Sequence, residues 1–297
     1  RGVSAAEADR VAATRRLLRA IDWCEVRLVE RNENLGLGRS IRAGVGEVAA
    51  RHDAFVVWED DLIAVPGTYA WLCAALRQFS DLRRVMSVTA WTHPRVTPDG
   101  IGDAPYFDAR AECWVWGAWS RSWEGMADET AQEKLDAVVR RGLPADTYGA
   151  DLPAMARNET RKNIWAVRWL CHHLARGGLC VRPPWSMVEH IGFDAAATHA
   201  SAAIGWANLS LRAAPPIPTV WPVVAEHPAC RSLWQAAAGA APSGLGARLR
   251  RVMRRAIPAA VLAPVQERIF RVRWTGDYPD WPSAQASCDG YAAPNIL

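Results

Sequence analysis

Residues 55–62, with the letters FVVWEDDL, constrain the fold of this chain more than any other segment. A short apolar run ends there in three consecutive carboxylates, residues 59–61. Adjacent carboxylates repel one another, so folding alone gives no reason to place them at a strand end. A divalent cation gives one, because Mg²⁺ and Mn²⁺ prefer carboxylate oxygens and let substrate phosphates complete their coordination. The segment predicts a metal–diphosphate site, with a solvated acidic turn as the alternative.

The pattern before this segment predicts how its strand is built into a sheet. Residues 5–20 carry apolar side chains at helical spacing, and residues 24–32 alternate as a strand does. A glycine-containing turn at 34–38 and a second helix then lead into the acidic strand. This β–turn–α–β order predicts parallel pairing in an α/β sheet. Ligands of such sheets bind at the carboxyl ends of the strands, which is where residues 59–61 fall.

Composition excludes several classes of protein. A net charge of +4 is too small for a dedicated nucleic-acid binder, so no nucleic-acid partner is expected. No apolar run is long enough to span a bilayer, and no secretory signal opens the chain. The seven cysteines form no CxxC pair, which favours reduced thiols in the cytoplasm. The basic run Arg248–Arg255 is a candidate peripheral contact with anionic lipid, with a solvated surface as the alternative.

Sixteen tryptophans exceed ordinary packing needs, and six of them cluster at positions 114, 116, 119, 123, 165 and 169. Core packing is the favoured interpretation for most, although flat apolar faces with a polar N–H also suit sugar rings. The predicted helix 164–176 carries two stripes, one with Val167 and Cys171, the other with Trp165, Trp169 and His172. One stripe is expected in the core, and the other is a candidate for facing a site.

Five segments, taken in order, resemble a known family. They are RNENLGLGRSIRAGV, VVWEDDL, ECWVWGAWSRSW, NIWAVRW and MVEHIGFDAAATH. This set resembles bacterial glycosyltransferases of the GT-A fold that are similar to the N-acetylglucosaminyltransferase I family. The resemblance covers about residues 5–200 and implies a Rossmann-like mixed sheet flanked by helices. It also implies transfer of a sugar from a nucleotide diphosphate, typically a UDP-sugar, to a saccharide acceptor.

The resemblance assigns roles to residues of this chain. Asp61 would bind Mn²⁺ or Mg²⁺, while Glu59 and Asp60 would contact the sugar and ribose of the donor. The nucleotide pocket and the wall beside the transferred sugar would be formed by Gly38, Arg39, Arg42 and Trp116. A loop from His190 to His199, including Asp194, would order over the donor.

An inverting transferase also needs a base to deprotonate the acceptor hydroxyl. Relatives carry an aspartate in or just before the W-x-x-x-W segment, whereas this chain has Lys162-Asn163 there. Asp151, Glu159 and Glu189 are the remaining candidates.

The resemblance also predicts the domain organisation. Residues 1–205 would form a glycosyltransferase domain that lacks its first strands and is therefore N-terminally truncated. Residues 206–269 would be an Ala/Pro-rich and basic linker or tail. Residues 270–297 resemble the opening of a family of bacterial methyltransferases.

Two alternatives remain to the transferase hypothesis. A nucleotidyltransferase also presents carboxylates and a metal to a nucleotide on an α/β sheet. A non-catalytic sugar-binding or scaffold module would explain the tryptophans without the base.

Overall fold

A computed structural model describes residues 5–191 and 211–238. The chain forms two compact units, the first contributing residues 5–35 of the described part and the second residues 36–191 and 211–238. Several predicted features lie outside the described residues: Asp194, His199, the basic run Arg248–Arg255 and the methyltransferase-like segment.

The first unit contains helix α1 (Ala5–Arg19), as its apolar spacing predicts. The strand predicted at 24–32 is wrong, because no strand is present between residues 20 and 35. Alternation supplies a β pattern, but a strand also needs a neighbour that takes up its backbone hydrogen bonds. Here Arg15 reaches across instead, with Nη2 3.1 Å from the carbonyl oxygen of Arg31 and Nε 3.5 Å from Glu30.

The second unit alternates helices and strands. Its helices are α2 (Leu37–Ala49), α3 (Thr68–Gln78), α4 (Ser120–Trp123), α5 (Ala131–Arg140), α6 (Leu152–Lys162), α7 (Trp165–Arg176) and α8 (Cys230–Ala237). Its strands are β1 (Ala54–Val57), β2 (Leu62–Ala64), β3 (Val85–Thr89), β4 (Tyr106–Asp108), β5 (Trp116–Trp119), β6 (Leu179–Arg182) and β7 (Val188–His190). The helices at 37–49, 68–78 and 165–176 and the strands at 54–57 and 85–89 agree with the sequence pattern. The sequence of residues 125–150 is polar and predicts helix with breaks at Gly142 and Pro144, and the structure limits the helix to α5.

Five strands form a mixed sheet in the order β1-β5-β3-β6-β4, and β2 pairs with β7 in a separate ribbon. The parallel pairing predicted for β1 is wrong, because β1 runs antiparallel to β5. Among the named strands of the described chain, only β3 and β6 pair in parallel. The coarser prediction is confirmed, since the protein is mixed α/β with a mixed sheet flanked by helices and is compatible with a Rossmann-like fold.

Both faces of the sheet are buried, and each face has its own core. Phe55 and Trp116 point to one face and pack edge to face at 5.7 Å between ring centroids, beneath α2 and α7. The alternate residues Val56 and Trp119 point to the other face, where α3 supplies Trp71 and its neighbours. Burial on two faces explains why these strands are apolar throughout rather than alternating.

Helix α7 lies between the two cores, and both of its stripes are therefore buried. Val167 and Cys171 belong to the larger core, while Trp165 and Trp169 join Trp116 in the smaller one. The second stripe thus packs in the interior, although the indole of Trp165 also hydrogen-bonds to Glu59. The stripe meets a candidate site only at this residue.

Because of His172, in α7, we expect the folded protein to lose stability in acid. Its Nε2 lies 3.1 Å from the carbonyl oxygen of Ser122, and burial, with Lys134 and Arg176 as further causes, lowers its pKa from 6.5 to about 4. The unfolded chain therefore takes up the proton first as the pH falls. The contribution of neutral His172 to the free energy of unfolding is complete above pH 6.5. It is lost as the pH falls to the pKa of His172 in the folded state. This loss amounts to about 2–3 kcal/mol.

Urea unfolding of the wild type and of His172→Gln, from neutral pH to about pH 4.5, measures this contribution. Glutamine keeps a donor for Ser122 but does not titrate, so the variant should lose less stability over the range. Equal losses in the two proteins would contradict the prediction.

Residues 211–238 pack against the sheet, although they fall within the stretch expected to be a linker or tail. His227 donates its backbone N–H to the carbonyl oxygen of Phe107 at 2.9 Å, along the outer edge of β4. Trp234 of α8 is buried and donates its indole N–H to Asp108 at 2.7 Å. The domain boundaries themselves stay a prediction. Among the described helices, none combines the length and the apolar character required to cross a bilayer.

Candidate functional site

The acidic residues lie at one end of the five-stranded sheet. Trp116, the first residue of β5, is in register with Val57 at the end of β1 and with Thr89 at the end of β3. The carboxyl ends of β1 and β3 therefore meet the segment that precedes β5. Asp60 and Asp61 form the turn between β1 and β2 at this edge. The edge brings the carboxylates next to the start of the tryptophan-rich segment.

Glu59 is held in a half-buried position by the smaller core. The indole N–H of Trp165 hydrogen-bonds to its carboxylate, which lowers the pKa, but burial outweighs this effect. Burial, together with the negative charges of Asp61 and Asp60, raises the pKa of Glu59 from 4.5 to about 7. Glu59 therefore exchanges between its acid and carboxylate forms near neutral pH. Asp60, the next residue, is exposed to solvent.

Asp61 is fixed by the ribbon of β2 and β7. Its backbone oxygen accepts the N–H of Ile191 at 2.9 Å, and its Oδ2 lies 3.3 Å from Nε2 of His190. The other carboxylate oxygen, Oδ1, is buried and has no hydrogen-bond partner among the described residues. Burial lowers the pKa of His190, and Asp61 opposes that change. The ribbon thus orients one oxygen of Asp61 and leaves the other unpaired.

This unpaired oxygen fits a hard divalent cation. A buried anionic oxygen without a partner is costly, and Mg²⁺ or Mn²⁺ bound there would offset that cost. Within residues 5–191 and 211–238, no group of three His, Cys, Asp or Glu side chains is arranged to hold a metal. Diphosphate oxygens and water would therefore have to complete the coordination, as is usual for Mg²⁺ at nucleotide sites.

The segment before β5 supplies Cys113, which the sequence did not single out, and Trp114, which belongs to the tryptophan cluster noted in the sequence. Burial raises the pKa of the Cys113 thiol well above its usual value, and the charge of Glu59 makes the next largest contribution. Trp114 packs against Trp91, with ring centroids 4.9 Å apart, and against His190 at 4.8 Å. These contacts join positions far apart in the sequence, so no local pattern could have predicted them.

Val115 carries backbone strain directly beside Trp114. Its φ of 46° places a β-branched residue in the left-handed region, which such residues rarely adopt. Strain of this kind costs about 1–3 kcal/mol and tends to occur at functional sites. The carbonyl oxygen of Val115 accepts the N–H of Ala90 at 2.8 Å, which holds the turn in place. The strained turn fixes Trp114 against His190.

The predicted donor-binding residues occupy different environments. Gly38 is buried at the start of α2 beside Asn163, and Arg39 is exposed on the same helix. Arg42 lies 4.0 Å from Glu159, and burial, followed by the charge of Arg168, lowers its pKa. Arg42 thus lies between α2 and α6, and its Nη1 is buried without a hydrogen-bond partner among the described residues.

Trp116 does not fit its predicted role. Its side chain is 0% exposed and is stacked on Trp165 at 5.6 Å, so it has no surface to offer a donor. Its place in register with β1 and β3 explains this burial, because both faces of the sheet are covered. Trp114, two residues earlier and partly exposed, contacts His190, which in turn contacts Asp61.

The three candidates for the catalytic base also lie in different environments. Glu159 is buried in an ion pair with Arg168 at 2.9 Å, and Asp151 accepts two hydrogen bonds from Arg110 at 3.0 Å. Glu189 lies in β7 opposite Ile63. Because side chains alternate along a strand, Glu189 leaves β7 on the face opposite to His190. Glu189 therefore does not share the face of β7 from which His190 contacts Asp61.

Replacing Gly38 by alanine should change the stability of the protein, and Gly44 in the same helix provides a matched control. A Cβ at Gly38 would lie 2.3 Å from the backbone oxygen of Asn163, so Gly38→Ala should destabilise the protein by about 1–3 kcal/mol. A Cβ at Gly44 meets nothing within 4 Å, so Gly44→Ala should stabilise α2 by up to about 1 kcal/mol. Urea unfolding should give opposite signs for the two variants, and a common sign would contradict this account.

No protein-family model matches the chain, and no curated protein matches it significantly. The function must therefore be argued from the acidic turn, the ribbon that orients Asp61 and the tryptophans around them.

Proposed function

We propose that the protein is a metal-dependent glycosyltransferase that moves a sugar from a nucleotide diphosphate, with UDP-sugars as the expected donors, to a saccharide acceptor. The observation that carries the proposal is the buried Oδ1 of Asp61, which has no partner among the described residues while Oδ2 is engaged by His190. This arrangement presents one hard oxygen ligand at the end of the sheet. It suits Mn²⁺ or Mg²⁺ shared with a diphosphate.

The chemistry of the transfer requires stabilisation of the leaving diphosphate. A divalent cation at Asp61 supplies Lewis acidity to the phosphate oxygens. His190 fixes the carboxylate of Asp61, so that its free oxygen is already oriented before the donor binds. Such preorganisation lowers the cost of assembling the charged complex.

Glu59 suits a contact with sugar hydroxyl groups. With a pKa of about 7, it can donate a hydrogen bond in its acid form or accept one in its carboxylate form. Trp165 holds the carboxyl in place through its indole N–H. Asp60, exposed in the same turn, offers a further acceptor for hydroxyl groups.

The aromatic surroundings favour a sugar over other groups. Trp114 is partly exposed and is held between Trp91 and His190 by the strained turn at Val115. An indole face next to carboxylates matches a pyranose ring, whose C–H groups and hydroxyl groups differ in polarity in the same way. This combination supports the transferase over the nucleotidyltransferase, which has no need of an aromatic wall.

Calorimetric titration with UDP, in the presence of Mn²⁺, of Mg²⁺ or of EDTA, tests the proposal. Binding should require a metal, and a panel of UDP-sugars should then release UDP in the presence of saccharide acceptors. Absence of metal-dependent UDP binding by the full chain would overturn the proposal. Release of pyrophosphate from a nucleoside triphosphate would favour the nucleotidyltransferase, and binding without turnover would favour the sugar-binding module.

A further inference from the structure

Trp58 differs from the tryptophans that surround the acidic turn. It directly follows β1 and is 45% exposed, whereas Trp116, Trp165 and Trp169 are buried. Its indole N–H donates to the carbonyl oxygen of Leu62 at 3.1 Å. This bond spans the turn that carries the three carboxylates, so the ring is fixed beside them. Trp58 is therefore an exposed aromatic side chain held in one orientation.

Packing does not account for this position. Among the described residues, no other ring and no cationic side chain stacks on Trp58. Nearly half of a large apolar side chain is left in water, next to Glu59 and Asp60. Leaving such a side chain exposed forgoes the favourable free energy that its burial would give. A rigid aromatic face beside a functional turn is better explained by a ligand than by the core.

We propose that the exposed face of Trp58 is the platform on which a ring of the saccharide acceptor stacks. This inference rests on the proposed function and names a residue that determines acceptor affinity. Charge identifies the ligand class, because Glu59 and Asp60 repel anionic groups such as acidic peptides, and the metal assigned to Asp61 is already shared with the donor diphosphate. A neutral pyranose places its C–H face on the indole, and its hydroxyl groups donate to Asp60 or Glu59.

The exposure of the Trp58 ring favours the acceptor over the donor. The donor diphosphate is assigned to the metal at Oδ1 of Asp61, which is a buried atom. The indole of Trp58 crosses the turn to Leu62, and 45% of the side chain stays exposed. A sugar stacked on Trp58 is thus close to the carboxylates without competing for the oxygen of Asp61 that is assigned to the metal.

The test measures binding of neutral saccharides by ligand-observed nuclear magnetic resonance, with the full chain, in the presence of UDP and Mn²⁺ and in their absence. The proteins are the wild type, Trp58→Ala, Trp58→Phe and the control Trp23→Ala, which removes another exposed tryptophan. Saccharide affinity should fall about tenfold or more in Trp58→Ala and stay within about threefold of the wild type in Trp58→Phe. Trp23→Ala should have no effect, and metal-dependent UDP affinity should be unchanged in every variant.

Four results would overturn the proposal. Equal saccharide affinity of Trp58→Ala and the wild type would show that the ring does not bind the acceptor. The absence of binding by any saccharide of the panel would show the same. A loss of UDP affinity in Trp58→Ala would assign the ring to the nucleotide instead. Equally weak binding by the Phe and Ala variants would mean that the indole N–H bond to Leu62, rather than the ring face, is required. The titration of UDP with metal judges the proposed function separately, so that failure of one proposal is distinguishable from failure of the other.

Discussion

Replacing Asp61 by asparagine should raise the dissociation constant for UDP in the presence of Mn²⁺ by at least about 100-fold. Asparagine has nearly the same shape, and its carbonyl oxygen can still accept from His190. It carries no charge, however, so the oxygen assigned to the metal becomes a much weaker ligand. The ribbon of β2 and β7 should keep its structure, because the backbone oxygen at this position still accepts the N–H of Ile191.

Asp99→Asn is the matched control, because Asp99 is an exposed carboxylate in the loop 94–105. This variant should bind UDP and metal as the wild type does. Calorimetry gives the affinities, and circular dichroism with urea unfolding shows whether either variant has lost its fold. Asp61→Ala should give the same result as Asp61→Asn. Affinity like that of the wild type in a folded Asp61 variant would defeat the assignment of this residue.

The parts of the fold that depend on local periodicity could be predicted from the sequence. The apolar spacing of α3 and α7 is a property of contiguous residues, and so is the apolar strand that precedes the acids. Pairing is different, because the hydrogen bonds of a strand depend on a partner distant in the sequence. The alternation at 24–32 was therefore insufficient to predict a strand, and the direction of β1 was assigned incorrectly.

Some features of the candidate site could likewise be predicted from contiguous residues, whereas others depend on tertiary contacts. The three carboxylates were visible as a run of letters, but the contact between Asp61 and His190 depends on the register of β2 with β7. The guanidinium of Arg42 is a group expected of a phosphate ligand, yet α6 places the carboxylate of Glu159 beside it. Trp116 and Trp114 are equally plausible in sequence, and only the burial of both sheet faces separates them. The local sequence predicts the chemistry, while tertiary contacts determine which of the predicted side chains are accessible.

A buried ion-pair network supports the edge of the sheet that carries this site. Arg182, at the end of β6, is 0% exposed, with Nε 2.9 Å from Asp108 and Nη2 3.0 Å from Glu112. Asp108 also accepts the indole N–H of Trp234. Burial raises the pKa of Glu112, and Arg182 is the main influence that opposes this. One guanidinium therefore compensates two carboxylates and links β4 and β6 to the segment before β5.

Replacing Arg182 by methionine should lower the free energy of unfolding by about 3–5 kcal/mol. Methionine fills much of the volume, so the loss reports mainly the buried carboxylates that remain without a counter-charge. Arg51→Met is the control, because Arg51 is 52% exposed and pairs with Glu47 at the surface, at 3.1 Å. Its removal should cost no more than about 0.5 kcal/mol.

Urea unfolding at neutral pH measures both variants, and the pH dependence distinguishes lost charge compensation from lost packing. If uncompensated carboxylates cause the instability, Arg182→Met should recover part of its stability as the pH is lowered toward about 5, because protonation removes the buried negative charge. A purely steric defect would not respond to pH in this way. A loss below about 1 kcal/mol at neutral pH would mean that water or rearrangement compensates Asp108 and Glu112, and would contradict the role assigned to Arg182.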